Sequence, residues 1–195
     1  MKQRRRPSRH YRNIRTKKGK RRILINKNIP TIKPRQRKIF KHISDPEQHN
    51  TEFGGGLDFD KSGYLENFQV FQGGKYYVDL PADYEVLYHS HPDKNISPPT
   101  PEDVIELLKN NRQQAELVFR NGESFTVIKT KKTKKLAKKS RRVLMKLLRS
   151  IFFSTRGKDW ELKYKRELEK LGFIVQLNKN IKSPIKLKIK AIELR

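Results

Sequence analysis

The side chains best spaced for metal chemistry are His89 and His91, in the stretch Val86-Leu87-Tyr88-His89-Ser90-His91-Pro92. Residues two apart at the end of a strand project from one face, so both imidazoles can reach a single ion. Asp103 lies in the first turn of a helix predicted to open at Thr100-Pro101-Glu102-Asp103, with a hydroxyl at the cap, proline at the first helical position and acids in the first turn. The proline-rich loop from Pro92 to Pro99 can bring that helix start beside the strand. Two histidines and one carboxylate leave the fourth position of a tetrahedral Zn2+ open to water, the catalytic arrangement and not the closed structural one. The sequence holds no cysteine, so thiolate zinc fingers, disulfide scaffolds and cysteine proteases are excluded, and any metal must be held by His and carboxylate. Taken alone, a histidine pair is more often a surface or core feature than a metal site.

The elements that must position these residues are short. Thr51 to Phe59, Tyr64 to Phe71, Tyr76 to Leu80 and Tyr84 to His89 are alternating or apolar runs separated by Gly, Pro, Asp and Ser, which predicts strands. The predicted helix continues through Val104, Ile105, Leu107 and Leu108. Glu116 to Arg120 and Ser124 to Lys129 flank Asn121-Gly122, a hairpin signal. Beyond Lys131, the spacing of Leu136, Val143, Leu144, Leu147, Leu148 and Ile151 predicts an amphipathic basic helix. A second helix is expected over Lys158 to Leu171, stopped by Gly172, followed by strands at Phe173 to Leu177 and Ile185 to Ile192.

Charge divides the 195-residue chain into three. Residues 1–41 hold 18 Lys or Arg and no acid, residues 42–128 hold 6 basic and 15 acidic residues, and residues 129–195 hold 23 and 5. An acidic centre between basic flanks points to two separate jobs. The opening segment lacks the apolar density to offset chain entropy and reads as a disordered arm whose charge suits nucleic acid or another polyanion by counterion release. Lys17 to Arg22 also fits a nuclear-localisation signal. For the lysine-rich run from Lys129 to Arg149, a solvated helix face and a phosphate-binding surface are equally open readings. The domains expected are a basic arm at 1–41, a core at 42–130 and a basic helical extension with terminal strands at 131–195, packed on the core. No apolar stretch approaches the roughly 18 residues of a membrane span, and the amino terminus has no signal-peptide run, so an intracellular protein of cytoplasm or nucleus is expected.

Together the motifs resemble the JAMM (JAB1/MPN, MPN+) metalloproteases. Glu52-Phe53-Gly54-Gly55-Gly56-Leu57 is similar to that family's Glu-x-x-Gly-x-Leu, His89-Ser90-His91-Pro92 to its His-x-His-Pro, and Thr100-Pro101-Glu102-Asp103 to its Ser-x-x-Asp. The resemblance covers roughly residues 45 to 128. It implies an α/β fold of the JAMM/MPN, cytidine-deaminase-like type, with a mixed sheet flanked by helices. It also implies that His89, His91 and Asp103 bind Zn2+, that Glu52 is the general base that later protonates the leaving amine, and that Thr100 stands where the family's serine stabilises the oxyanion. The implied activity is hydrolysis of an amide bond, in most members the isopeptide bond of a ubiquitin or ubiquitin-like conjugate, so a deubiquitinase-like isopeptidase.

Two departures and several rival readings accompany this. The interval from His91 to Asp103 is one residue longer than the family's, which would put Glu102 in the ligand register; a loop insertion that preserves Thr-x-x-Asp favours Asp103. Threonine replaces serine at 100. Glu47 and Glu66 are alternatives to Glu52, whose neighbouring glycines favour it by allowing close backbone approach. Thr100 can be only a helix cap. The rival function is a non-catalytic MPN-like structural or nucleic-acid-binding protein of a nucleoprotein particle, and the ligands alone also fit a zinc hydrolase of small molecules or nucleic acid. In its compact, arm-bearing form the chain resembles JAMM-like proteins of large DNA viruses or mobile elements more than proteasome-type subunits, which adds a virion to the expected locations.

Overall fold

The apolar runs assemble around one mixed sheet in a computed structural model of the chain, which describes residues 14–15, 21–22, 29–45, 50–60, 62–75, 77–92, 98–180 and 182–189. In chain order the elements are β1 (Ile14–Arg15), β2 (Arg21–Arg22), β3 (Thr31–Ile32), α1 (Pro34–Ile43), β4 (Phe53–Phe59), β5 (Leu65–Phe68), β6 (Phe71–Gln72) and β7 (Val86–Ser90). They continue with α2 (Pro101–Lys109), β8 (Ala115–Arg120), β9 (Glu123–Ile128), α3 (Lys134–Ala137), α4 (Arg141–Ser154), α5 (Trp160–Lys170), β10 (Ile174–Asn178) and β11 (Ile185–Lys186). The main sheet runs β10-β9-β8-β7-β4-β5, with β6 also paired to β4. Only β7 and β8 are parallel; the other pairs are antiparallel.

Strand alternation sends the side chains of this sheet into two layers. On one face, Tyr88 and Phe119 meet Phe40 of α1, whose ring stacks on Phe119 with centroids 4.5 Å apart. Leu57, Leu117, Ile185 and Leu187 complete that core. On the other face, Val104, Ile105 and Leu108 of α2 pack with Leu144, Leu148 and Phe152 of α4, Tyr164 and Leu168 of α5, and Phe125 and Val127 of β9. The parallel β7–β8 pair requires a crossover, which α2 supplies. That helix therefore begins where β7 ends, which is what brings Asp103 back to His89 and His91.

Several expectations are met: α2 is capped by Thr100, and Asn121 and Gly122 turn the β8–β9 hairpin at φ 47° and 77°. The mixed α/β class is observed, and among the described residues no helix is long and apolar enough to cross a membrane. Three expectations are corrected. Residues 77–80 form no strand; Val78 and Leu80 instead lie against Gly54 of β4 as part of a covering loop. The predicted arm ends too late, because β3 and α1 already belong to the fold, with Ile32, Arg37 and Phe40 fully buried. A run rich in basic residues hid one apolar stripe and one buried cation. The basic helix is broken into α3 and α4, and α4 buries Leu144, Leu148 and Phe152 while Val143 stays exposed. Residues beyond 131 are also structurally continuous with the sheet, since β10 extends it beside β9 and β11 pairs with β3. Residues 1–13, 16–20 and 23–28 of that arm lie outside the described residues, and within it β1 pairs with β2.

Arg37 is held by backbone carbonyls. Its guanidinium donates to Gly122 O at 2.7 Å and Ser183 O at 2.8 Å, and also to the carbonyls of Asn178 and Asn180. Burial lowers its pKa, and Glu123 acts in the opposite direction.

Candidate metal centre

His89 and His91 leave the carboxyl end of β7 on the face covered by α2, and both are buried. Their Nε2 atoms are 3.0 Å apart, and Asp103 Oδ2 lies 3.4 Å from the first and 3.7 Å from the second. Ligands about 2.0–2.2 Å from a tetrahedral centre are roughly 3.3–3.6 Å from one another. The observed triangle, 3.0 to 3.7 Å on its sides, brackets that spacing, and its donors are the nitrogen and oxygen types that zinc takes. The residues present therefore fit a metal ion, held by His89, His91 and Asp103. Asp103 is the most exposed of the three, which leaves an approach on its side.

Thr100 fixes the carboxylate. Its backbone N–H donates to Asp103 Oδ2 at 2.7 Å and its hydroxyl to the same oxygen at 2.8 Å, while Asp103 N–H donates back to Thr100 Oγ1 at 3.3 Å. This reciprocal cap makes one short motif serve both the helix start and the ligand's orientation. Glu102, the alternative ligand, points away and pairs with Arg149 of α4 at 2.8 Å. The Thr-x-x-Asp register thus selects the carboxylate that stands beside His89 and His91.

Glu52 precedes β4 and is buried. Gly54 pairs with His89 in the antiparallel β4–β7 ladder, so Glu52, two residues earlier, falls opposite His91 on the same face. Its backbone is tied to the 73–74 turn by bonds of 2.8 Å in both directions, and Phe53 N–H donates to Ser90 Oγ at 2.9 Å. Ser90, the middle residue of the histidine motif, thereby locks the two strands in register. A β-carbon at Gly56 would stand 2.2 Å from the Tyr84 ring, and one at Gly55 2.2 Å from Gln69 O, so the glycines do allow the close approach expected of them. Of the alternatives to Glu52, Glu66 is exposed on β5 and Glu47 lies outside the described residues.

Buried charge shapes the protonation of the group. Burial pushes the Glu52 carboxyl up to about 7, with His89 opposing the rise and Asp103 adding to it. Burial also disfavours a charged His89, but Asp103 and Glu116 outweigh it and hold the imidazole well above its ordinary value. For Asp103, burial is outweighed by His89, His91 and the Thr100 N–H, which hold the carboxyl well below the usual range. Protons favoured on Glu52 and His89 thus offset the buried Asp103 carboxylate, and a cation held there would compete with them.

Glu116 is the participant that sequence reasoning missed. It is buried on β8, with Oε1 3.0 Å from His89 Nδ1, and Gln113 Nε2 donates to its other oxygen at 3.3 Å. The His89 contact lies off the N–H axis, so it is an ion-pair contact more than an aligned hydrogen bond. Glu116 pairs in register with Leu87, which places it on the His89 face one step along the neighbouring strand. The available signal was a carboxylate inside the otherwise apolar run Ala115-Glu116-Leu117-Val118-Phe119. Burying an ionisable group there requires a partner.

Compared with protein-family models, curated proteins and solved structures, the chain matches none.

Proposed function

We propose that this chain is a zinc-dependent hydrolase of amide bonds, a JAMM-type isopeptidase or peptidase acting on a ubiquitin or ubiquitin-like conjugate, with its basic arm attaching it to nucleic acid or a nucleoprotein assembly. The observation that carries this reading is the three-donor triangle of His89, His91 and Asp103 with a buried carboxyl, Glu52, at the head of the adjacent strand. When bound there, zinc supplies Lewis acidity, activating water and polarising a carbonyl.

The chain's own groups divide the remaining work. Glu52, with its carboxyl raised to about 7, is poised to take a proton at one carboxylate oxygen near neutral pH and to pass it to the departing amine. The Glu116 carboxylate, 3.0 Å from His89 Nδ1, favours by its charge a proton on that nitrogen and so leaves Nε2 for the centre. Thr100, with its hydroxyl given to Asp103, is a positioning residue in this state, and it must turn that hydrogen toward substrate to act as an oxyanion donor.

The test is metal analysis joined to cleavage of linkage-defined ubiquitin dimers. The expected result is one zinc per chain, with Glu52→Gln retaining the zinc and losing about 10²–10⁴-fold in rate. Protein that holds no stoichiometric zinc, or a Glu52→Gln variant with unchanged cleavage, overturns the reading.

A further inference from the structure

Residues 124–158 contain 13 Lys or Arg and no acid. In the fold, α4 is a rod of 14 residues, about 21 Å long, whose apolar side is consumed by the core at Leu144, Leu148 and Phe152. Its outer side carries Arg142, Lys146 and Arg149, and the approach from α3 adds Lys135 and Lys138, all exposed. Arg149 and Arg141 are engaged by Glu102 and Glu106 of α2. Those pairs bolt the rod to the helix that carries Asp103. Lys135, Lys138, Arg142 and Lys146 have no ion-pair partner among the described residues.

We propose that this α3–α4 face is a second, folded docking surface for the phosphate backbone of a double-stranded nucleic acid, independent of base sequence and distinct from the amino-terminal arm. Three observations select this partner. Arg142, Lys146 and Arg149 recur at helical spacing on one exposed face of α4, with Lys135 and Lys138 leading into it, which suits a partner carrying one charge per about 1.7 Å along its axis. Stable docking on an anionic bilayer combines basic charge with an apolar helix face that inserts, and that face is already buried. An unpaired strand would need a row of open aromatic rings for stacking. The outer side of α4 offers one exposed ring, Phe153, and the Arg156 guanidinium lies over it at 4.8 Å. The surface does not need the metal, so it stands or falls apart from the hydrolase reading.

The experiment is fluorescence anisotropy of the full chain with a labelled 30-base-pair DNA duplex of random sequence, titrated with salt, and with zinc content measured in parallel. Replacing four partnerless cations together (Lys135→Gln, Lys138→Gln, Arg142→Gln, Lys146→Gln) lowers the slope of log K against log salt by about 3–4, from 0.9 per phosphate contact. Thermal midpoint and zinc content stay at wild-type values, because these side chains are exposed. An arm variant that removes the same charge (Arg4→Gln, Arg5→Gln, Arg6→Gln, Arg9→Gln) still shows the loss when the four α3–α4 changes are added to it. An unchanged slope in the α3–α4 variant overturns the proposal. So does tighter binding of a single strand, or of phosphatidylserine vesicles, that depends on the same four residues.

Discussion

The two sides of β7 are built from one five-residue strand and obey opposite rules. Val86 and Tyr88 face α1, where an aromatic cluster with Phe40, Phe119 and Phe68 excludes water. Leu87 and His89 face α2, where His89, Glu116 and Asp103 bury charge against charge. The first side gains from dispersion and removal of apolar surface from water. The second is tolerated only because each ionisable group has a partner, and removing one leaves another charged and buried. The difference teaches that stability and chemistry are segregated by strand alternation and not by distance, since Tyr88 and His89 are adjacent in sequence.

That segregation can be broken or sharpened by four substitutions. His89→Ala should abolish stoichiometric zinc in metal analysis while the chain stays folded by circular dichroism; full zinc retention would mean that the ligands lie elsewhere. Phe40→Ala should cost about 3–5 kcal/mol in denaturant unfolding, from the cavity between Phe119 and Tyr88, and leave zinc affinity unchanged in the molecules that remain folded. Coupling of that change to metal affinity would refute the separation of the two faces. Glu116→Gln should weaken zinc about 10–100-fold in chelator competition, as expected for the carboxylate behind a ligating histidine. An affinity equal to wild type would reduce Glu116 to a packing role.

The smallest effect concerns Glu85, which lies just before β7 and lacks the compensation that Glu116 has. Burial alone pushes its carboxyl up to about 7. A folded-state value above the unfolded one means the native chain holds the proton more tightly. The cost is therefore absent below about pH 4.5, grows as pH rises, and is complete above about 7. After allowance for solvent screening, Glu85→Gln should stabilise by about 1–2 kcal/mol at pH 8 and have no effect at pH 4. Thermal melts at both values measure this, and equal shifts at the two would rule out desolvation of Glu85 as the cause.

Legibility from sequence followed the range of the physics. The helix cap at Thr100, the Asn121-Gly122 turn and the stop at Gly172 are local events set by backbone preferences, and they were readable. His89 and His91 were readable because strand geometry fixes their relation, and the choice of Asp103 over Glu102 followed from the cap register. Glu116 was not, since its meaning depends on the β7–β8 register between strands that α2 separates. Arg37 and Phe40 were hidden for a related reason: in a run dominated by lysine and arginine, composition outweighs the two positions that turn inward. Tyr76 to Leu80 misled because alternation reports which side chains are buried, and Val78 and Leu80 are covered without any ladder.

The pairing of β3 with β11, reinforced by Leu187 N–H to Pro30 O at 2.8 Å and by the Arg37 bonds, has a mechanical consequence. The segment entering at Pro30 and the segment leaving at Leu187 run side by side on the α1 side of the sheet, away from His89 and His91. Tension applied through both flanking segments, as when each is bound to a heavy polymer, loads that short ladder and the guanidinium clasp first. That ladder, the Thr31 N–H bond to Gly63 O and the guanidinium clasp all stand between such tension and the candidate metal centre on the opposite face of the sheet, so the fold carries its own mechanical fuse.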